Sequence, residues 1–350
     1  MRASATIEDV AREAQVSVAT VSRALRGLPN VAPSTRARVL VAAERLHYVA
    51  DPTAVRLAGG RRLALGLVVP MLGQWFYSRL YSGIETVATL HGYDLLPFAI
   101  PSPSDVDRFL DRLPYRKRVD GLIVADVPFD VSQLDRVVET GEPVVTLGAL
   151  VPGIWGLAVD NVAVARTAVE HLLALGHRRI AIIGGLDDDP FHFSIPLERY
   201  RGYRDALEEA GITPDPLLTV PGHFSADGGA EAMHILLERS RRPTAVFACS
   251  DEMAIGAVQV ARDAGLRVPE DLSVLGVDGH DLAAYVGLTT IEQDVTGQGE
   301  KVAELLLDRL RRGDKPGDPV HVVHPARLVV RRTTAHPPAD GAHDLATSGD

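Results

Sequence analysis

The sequence predicts an α/β protein with a helical N-terminal head followed by a two-lobed, doubly wound body. Three short helical patterns lie within roughly the first fifty residues. From residue 63 onward, short apolar runs alternate with helical patterns, the order expected of a parallel sheet covered by helices. The alternation starts again near residue 161, so we expect two similar lobes. A chain of 350 residues is long enough to give each a sizeable core.

The predicted head is a helix-turn-helix with a third supporting helix. Thr6 stands three residues before an acid, which is the spacing of a capping box. Ser17 is a good cap for the second helix, which places Val21 on its core side, and Pro33 suits the start of the third. Helices this short must pack on one another to be stable. An ordinary three-helix module without nucleic acid is the alternative.

The distribution of charge favours a nucleic-acid partner for this head. Residues 1–62 contain ten arginines and five acidic residues, a net charge of +5, whereas residues 63–350 carry a net charge of −15. A basic head on an acidic body is typical of a DNA-binding arm.

The segment after the head is predicted to be a short linker helix. Asp51 and Pro52 form a helix start, and Gly59 with Gly60 ends the helix after barely two turns. Such a helix is marginal in free solution. The alternative is a plain interdomain linker.

The body is predicted as strands and helices in alternation, ending in a disordered tail. The predicted strands cover residues 63–69, 93–100, 121–125, 143–147, 179–183, 217–220, 245–248, 272–277 and 320–330, and the predicted helices residues 80–90, 105–113, 133–140, 161–175, 197–210, 226–238, 252–264 and 295–311. The predicted domains are residues 1–49 (head), 50–62 (linker helix), 63–335 (body) and 336–350 (tail). Lobe 1 of the body takes residues 63–160 and 293–320, and lobe 2 takes residues 161–292 and 321–335.

Two facing α/β lobes form a cleft, and ligands of open α/β sheets lie beyond the carboxyl ends of the strands. The residues that follow the predicted strands include carboxylates, an arginine and aromatic rings, which suit a polyol. They are Gln74, Phe76, Tyr77, Asp126, Asp160, residues 191–199 with Arg199 at the end, His223, Phe224, Ser250, Asp251 and Asp278.

Several motifs resemble those of the lactose-repressor/galactose-repressor (LacI/GalR) family of bacterial transcription regulators. In the head these are TIEDVA from Thr6, VS at Val16 and TVSR from Thr20. In the body they include VDN at 159–161, RYRGY at 199–203, SDEMA at 250–254, GVD at 276–278 and LTTI at 288–291. The resemblance runs from about residue 5 to residue 337. It implies that the body resembles periplasmic sugar-binding proteins and binds a small-molecule effector.

For the head, the resemblance implies a homodimer that binds a pseudo-palindromic double-stranded operator. Val18 and Ala19 take the base-reading positions and can contact thymine methyl groups, whereas Arg23 can hold guanine. In the family, the linker is a hinge helix that opens a base step in the minor groove, and Leu57 takes that wedge position with Ala54 one turn before it. The full set of expected DNA-contact residues is Thr6, Ser17, Val18, Ala19, Thr20, Ser22, Arg23, Ala54 and Leu57. Ser17 can serve as a cap, a phosphate contact or both.

For the body, the resemblance assigns effector contacts to Arg199, Ser250, Asp251 and Asp278, and aromatic walls to Tyr77 and Phe224. Together with the topological candidates, the expected effector site is Phe76, Tyr77, Asp126, Asp160, Arg199, Phe224, Ser250, Asp251 and Asp278. Asp251 and Asp278 have a second interpretation as helix caps. The body departs from the usual family residues at Gln74, Trp75 and His280.

The expected function is therefore a sequence-specific DNA-binding transcriptional regulator, a repressor, whose effector is a sugar. A purine or nucleoside effector and a solute-binding protein without a regulatory role are the alternatives. An enzyme is disfavoured because no phosphate-binding glycine loop or nucleophile elbow is found. We expect no cofactor and no metal, since His192, His223 and His280 lack ligand spacing and residues 187–189 lack a full calcium-loop pattern. One cysteine, no signal peptide and no membrane-spanning apolar run favour the cytoplasm.

Overall fold

The computed structural model describes residues 5–25, 31–48, 62–127, 129–184, 194–313 and 318–338. The chain divides into two compact units, residues 1–63 and residues 64–350. The predicted hinge helix, with Ala54 and Leu57, lies outside the described residues, as do residues 187–189 and His192.

The first unit contains three helices whose caps match the sequence prediction. They are α1 (Ile7–Glu13), α2 (Val18–Leu25) and α3 (Pro33–Arg45). Thr6 forms the capping box with Asp9, and the Ser17 hydroxyl accepts a hydrogen bond from the Thr20 N–H at 3.1 Å. Val10, Val21 and Val39, one from each helix, are fully buried in a shared core. The helices therefore stabilise one another by burying apolar faces that none of them could bury alone.

The second unit contains two parallel-sheet lobes built from the remaining elements. In chain order these are β1 (Ala64–Val69), α4 (Trp75–Leu90), β2 (Asp94–Ala99), α5 (Pro103–Arg112), β3 (Gly121–Ala125), α6 (Val131–Val138), β4 (Val144–Leu147), β5 (Trp155–Val159), α7 (Asn161–Ala174), β6 (Ile180–Gly184), α8 (Ser194–Glu209), β7 (Thr219–Pro221), α9 (Ala226–Leu237), β8 (Ala245–Ala248), α10 (Asp251–Asp263), β9 (Ser273–Asp278), α11 (Ala283–Val286), β10 (Thr289–Glu292), α12 (Val295–Arg312), β11 (His321–His324) and β12 (Arg327–Val329).

Lobe 1 is a sheet in the order β11-β5-β4-β3-β1-β2, with every neighbouring pair parallel. Helices α4 and α12 cover one face and bury Leu80, Ile84 and Leu306, whereas α5 and α6 cover the other. Strands β1 and β3 are buried along their whole length, as expected for strands covered on both sides.

Glycines allow α4 and α12 to cross at very close range. A Cβ atom on Gly83 would lie 2.1 Å from the Thr296 carbonyl oxygen, and one on Gly299 would lie 2.4 Å from the Leu80 carbonyl oxygen. Any side chain at either position would push the helices apart, so lobe 1 depends on both glycines.

Lobe 2 has the sheet order β12-β10-β9-β8-β6-β7, in which only β12 runs antiparallel to its neighbour. The segment after β12 lies along the same sheet, where the Thr333 hydroxyl donates to the Val274 carbonyl and accepts from the Thr289 N–H. His177 is 1% exposed and contacts Thr244 and Ser273 through its ring nitrogens, so it has a structural role in this lobe.

The structure departs from the sequence prediction in four places. The strand predicted over residues 320–330 is two strands in different sheets, so the assignment of residues 321–335 to lobe 2 is wrong for β11. Pro325 separates the two, because proline cannot donate to a sheet ladder. Strands β5 and β10 and the short helix α11 were not predicted. The helix expected at residues 80–90 begins at Trp75. Finally, His336 contacts the Leu175 carbonyl at 2.7 Å, so the disorder predicted for residues 336–350 is wrong for residues 336–338.

Candidate functional site

A cavity of about 290 Å³ lies between the two lobes at the carboxyl ends of their strands. Seven of the nine predicted effector residues line it: Phe76, Tyr77, Asp126, Arg199, Phe224, Ser250 and Asp278. The rule that ligands of open α/β sheets lie beyond the carboxyl ends of the strands therefore predicted most of these lining residues.

Lobe 1 contributes aromatic rings and one carboxyl group. The early start of α4 places Phe76 and Tyr77 in its first turn, with their rings 5.2 Å apart and nearly perpendicular. Asp126 follows β3 in a left-handed conformation, φ 51°, and its carboxyl oxygen occupies the space beside the Gly148 Cα. Any residue with a Cβ at position 148 would collide with that oxygen, so Gly148 makes room for the carboxyl group.

The Asp126 carboxyl group has an unusual affinity for protons. Burial raises its pKa to about 7, against the opposing effects of the Arg199 charge and a hydrogen bond from Tyr77. The group is therefore poised to change its protonation state when a ligand binds beside it.

Lobe 2 contributes a buried cation. Arg199 on α8 is 3% exposed, its Nε donates to Asn161 Oδ1 at 3.0 Å, and its Nη1 donates to the Cys249 carbonyl oxygen. It forms no ion pair with any carboxylate in the part of the chain that the structure describes. Because a guanidinium carries five N–H donors, donors remain for a ligand in the cavity.

Asp278 ends β9 and has a backbone φ of 130°, which is rare outside glycine. Its Oδ1 accepts a hydrogen bond from Gln293 at 2.6 Å, and Gln298 in turn donates to the Gln293 carbonyl oxygen at 2.7 Å. Burial raises the pKa of Asp278, the Arg199 charge opposes the rise, and the Asp251 charge adds to it. The side chain is fixed in place and has a carboxyl group that ionises reluctantly without a ligand.

Two predicted residues lie outside the cavity lining. Asp160 is exposed and caps α7, where its Oδ1 accepts from the Ala163 N–H at 2.9 Å. Asp251 is fully buried and accepts the N–H groups of Gly279 at 2.9 Å and His280 at 2.7 Å. The cap of α10 is the preceding Ser250, not Asp251. Both aspartates thus shape the chain around the cavity.

Sequence reasoning missed four polar residues that line the cavity: Asn161, Glu252, Gln293 and Gln298. Asn161 is next to the predicted Asp160, and Gln293 directly follows β10, so recognition of that strand would have indicated it. Gln74 and His223, which topology alone had suggested, also line the cavity. No group of three or more potential metal ligands is found among the described residues.

In the head, the exposed face of α2 carries the predicted DNA contacts. Val18, Ala19 and Arg23 are exposed, as is Ser17 just before the helix. Thr20 and Ser22 are half-buried, and the Thr6 hydroxyl donates to Asp9 Oδ2 at 2.9 Å. An apolar residue such as Val18, which is 41% exposed, is available to contact a partner surface.

Comparison with known proteins identifies both units. Residues 6–51 match the bacterial regulatory proteins of the lacI family, and residues 169–334 match the periplasmic binding protein-like domain. Catabolite control protein A of Priestia megaterium is 34% identical over 333 residues, which cover 94% of this chain and 99% of that protein. The chain belongs to the lacI family of bacterial regulatory proteins.

Solved structures of this family extend the match to about 95% of the chain. The lac repressor dimer bound to operator and the anti-inducer ONPF has 29% identity and a TM-score of 0.83, covering 95% of this chain and all of that one. A CelR–cellobiose complex has 32% identity and a TM-score of 0.69, covering 94% of this chain and 99% of that one. As a lacI-family member, the chain is a DNA-binding regulator controlled by a small molecule and not an enzyme. None of the described helices is long and apolar enough to cross a membrane.

Proposed function

We propose that this lacI-family regulator is a cytoplasmic homodimeric repressor whose affinity for a pseudo-palindromic operator is controlled by an uncharged sugar in the interlobe cavity. The arrangement that supports a sugar is a cavity lined by the buried Arg199, the carboxyl groups of Asp126 and Asp278, and the rings of Phe76, Tyr77 and Phe224. Carboxylates accept hydrogen bonds from hydroxyl groups, a guanidinium donates to ring and hydroxyl oxygens, and rings cover C–H faces.

The balance of charge around the cavity supports an uncharged ligand. Asp126, Glu252 and Asp278 line it against the single guanidinium of Arg199. A phosphorylated sugar would add negative charge beside three carboxyl groups whose pKa values burial already raises, and would raise them further. The carboxyl groups would then stay protonated and be less able to accept hydrogen bonds from sugar hydroxyl groups. A purine or nucleoside is the second candidate, because the rings of Phe76 and Tyr77 can also stack against a base.

The predicted DNA contacts belong to the head and the hinge, whereas the predicted effector contacts belong to the body. The expected DNA contacts in the head are Thr6, Ser17, Val18, Ala19, Thr20, Ser22 and Arg23, with Ala54 and Leu57 in the hinge. Control by effector requires different affinities for two arrangements of the lobes, with a coupling free energy of roughly 1–3 kcal/mol.

A thermal-shift screen of the full chain against sugars, sugar phosphates, polyols and nucleosides tests this function. A ligand at about 100 times its Kd should stabilise the folded state by roughly 2.7 kcal/mol. Each hit is then tested for its effect on the affinity for operator fragments selected from random DNA. A sugar that both stabilises the folded state and changes the affinity for operator fragments supports the proposal. A hit only among nucleosides favours the second candidate, and binding only of sugar phosphates contradicts the charge argument.

The hinge prediction has its own test in Leu57→Ala. Loss of the apolar wedge should weaken binding to the selected operator while leaving the effector-induced thermal shift unchanged, because the cavity is remote in sequence and chemistry from this contact. Operator affinity and the effector-induced thermal shift are measured on the same preparation, with Leu63→Ala as the control for a neighbouring leucine. Unchanged operator affinity in Leu57→Ala would remove the wedge role.

A further inference from the structure

Four side chains connect the two lobes beside the cavity. Trp75 and Arg79 lie in α4 of lobe 1, and His280 and Asp281 lie in the loop after β9 of lobe 2. The Trp75 indole N–H donates to Asp281 Oδ2 at 3.1 Å, and Arg79 forms an ion pair with the same oxygen. The Trp75 and His280 rings are 4.6 Å apart at 33°. We name Trp75, Arg79, His280 and Asp281 the clasp.

The lobe 2 half of the clasp is held rigid by its surroundings. Asp251, fully buried, accepts two backbone N–H groups from residues 279 and 280 and so fixes the start of the loop. The Leu282 N–H donates to His280 Nδ1 at 3.0 Å, which orients the ring toward Trp75. The loop is therefore prepared to receive α4 without further ordering.

The lobe 1 half of the clasp adjoins the cavity wall. Trp75 stands between Gln74 and Phe76, and both of these residues line the cavity. Gln74 also reaches across to donate to the Phe224 carbonyl oxygen at 3.3 Å. Any separation of Trp75 from Asp281 would move the first turn of α4 and with it the aromatic side of the site.

The charge of Asp281 suits this role. Although burial favours the neutral acid, hydrogen bonds from Trp75 and Arg79 together with the charges of Arg79 and His280 hold the pKa of Asp281 below its usual value. Asp281 is thus a carboxylate at neutral pH. An exposed ion pair alone contributes little, but here one carboxylate joins an indole donor, a guanidinium and a ring contact.

We propose that the clasp residues are positioning residues that hold the two lobes together around the cavity before effector binds. The inference goes beyond the proposed function and rests on it only in taking the cavity as the effector site. A ligand that binds the closed arrangement then meets walls already assembled. If the clasp is weakened, the apparent Kd rises in inverse proportion to the closed fraction.

Tryptophan fluorescence of the ligand-free protein tests the clasp directly. The chain has two tryptophans, so Trp155→Phe leaves Trp75 as the only one. In that background, Asp281→Asn should shift Trp75 emission to longer wavelength and increase its quenching by acrylamide. Asp281→Glu, which keeps the charge and the acceptor, should restore both values toward those of the parent. Far-UV circular dichroism checks that each variant is folded.

The matched control is Asp111→Asn, which removes an exposed ion pair with Arg136 inside lobe 1. It should leave Trp75 emission unchanged. The Asp281→Asn measurement is repeated with Trp155 in place, so that the result does not depend on the Trp155 substitution. Trp155 is 8% exposed and distant in sequence from the clasp, so we expect its own emission to stay constant.

Unchanged Trp75 emission in Asp281→Asn would overturn the clasp, as would a shift that Asp281→Glu does not reverse. Neither result would affect the proposed function, because a sugar can still stabilise the protein in the thermal-shift screen. Conversely, if the clasp behaves as expected but no sugar binds, the clasp proposal stands and only the proposed class of effector is wrong.

Discussion

The two lobes share an order of strands but supply different chemistry to the cavity. In both sheets the first two strands occupy one edge and the next three follow in sequence order, with a late strand from the end of the chain at the other edge. Lobe 1 presents the rings of Phe76 and Tyr77 with Asp126, whereas lobe 2 presents the ring of Phe224 with Arg199, Ser250, Glu252 and Asp278. Similar scaffolds can therefore carry a mainly apolar wall in lobe 1 and a more charged wall in lobe 2, because the residues after each strand are free to differ while the strands remain apolar.

The comparison predicts that substitutions in lobe 2 will have larger effects than those in lobe 1, and Arg199→Ala should have the largest. It removes the buried donor to Asn161 Oδ1 and to the Cys249 carbonyl oxygen, so the free energy of unfolding should fall by about 2–3 kcal/mol. The effector-induced thermal shift should disappear. Urea denaturation measures the first effect.

Arg201→Ala is the control for Arg199→Ala, because Arg201 lies on the same helix with its side chain 68% exposed. It should change the free energy of unfolding by less than about 0.5 kcal/mol. If Arg199→Ala retained the effector response, the charged wall would not be the binding wall.

Asp278→Asn should have the next largest effect, and its sign differs between stability and binding. A carboxyl group whose pKa is raised on folding stabilises the protein fully below its unfolded pKa, and this contribution is lost as the pH rises toward the folded pKa. An amide does not titrate and can still accept from Gln293. At pH 8 the ligand-free variant should therefore be more stable than the parent by about 1 kcal/mol or more, equivalent to about one pKa unit.

The stability gain of Asp278→Asn should shrink as the pH falls toward 4, and the variant should lose the effector response while still binding operator. Thermal unfolding at several pH values checks the first part, with Glu231→Gln as an exposed control. A variant less stable than the parent at pH 8 would show that the ionised Asp278 carboxylate does not destabilise the folded protein.

Tyr77→Phe in lobe 1 should have the smallest effect. It removes the hydroxyl that helps to lower the pKa of Asp126, so this pKa should rise above about 7. If ligand hydroxyls donate to ionised Asp126, affinity increases with pH through this range, and the increase should move to higher pH in the variant. The loss of affinity at pH 7 should be about tenfold or less.

Ligand titrations from pH 6 to pH 8 test Tyr77→Phe, and Tyr81→Phe, one turn further along α4, is the control. An effect of Tyr77→Phe as large as that of Arg199→Ala would reverse the ranking of the two walls.

Much of this architecture could be predicted from the sequence because long apolar strands and capped helices are local patterns. Strand β10 escaped because its buried residues include Thr289 and Thr290, and Thr289 is satisfied by Thr333 from a segment 44 residues further along the chain. Nothing local in the sequence marks a threonine as buried when its partner is so distant.

The candidate site was predicted to the nearest strand end but not to the nearest side chain. Asp160 and Asn161 show how far strand ends can predict the site. The predicted Asp160 caps α7, whereas the next residue, Asn161, lines the cavity. Asp251 shows another, since its backbone partners lie in a loop 28 residues away. The clasp joins residues 206 positions apart, and no pattern in the sequence relates them.

The order in which the lobes are completed also affects how the protein can be made. A ribosome releases residues 64–159 long before α12 and β11, yet α12 is the cover for Leu80 and Ile84 on α4. Lobe 1 therefore cannot finish folding during synthesis as an independent N-terminal domain would. A nascent chain that stops before residue 295 leaves an apolar helix face open, so premature termination late in the message should yield a product prone to aggregation and proteolysis.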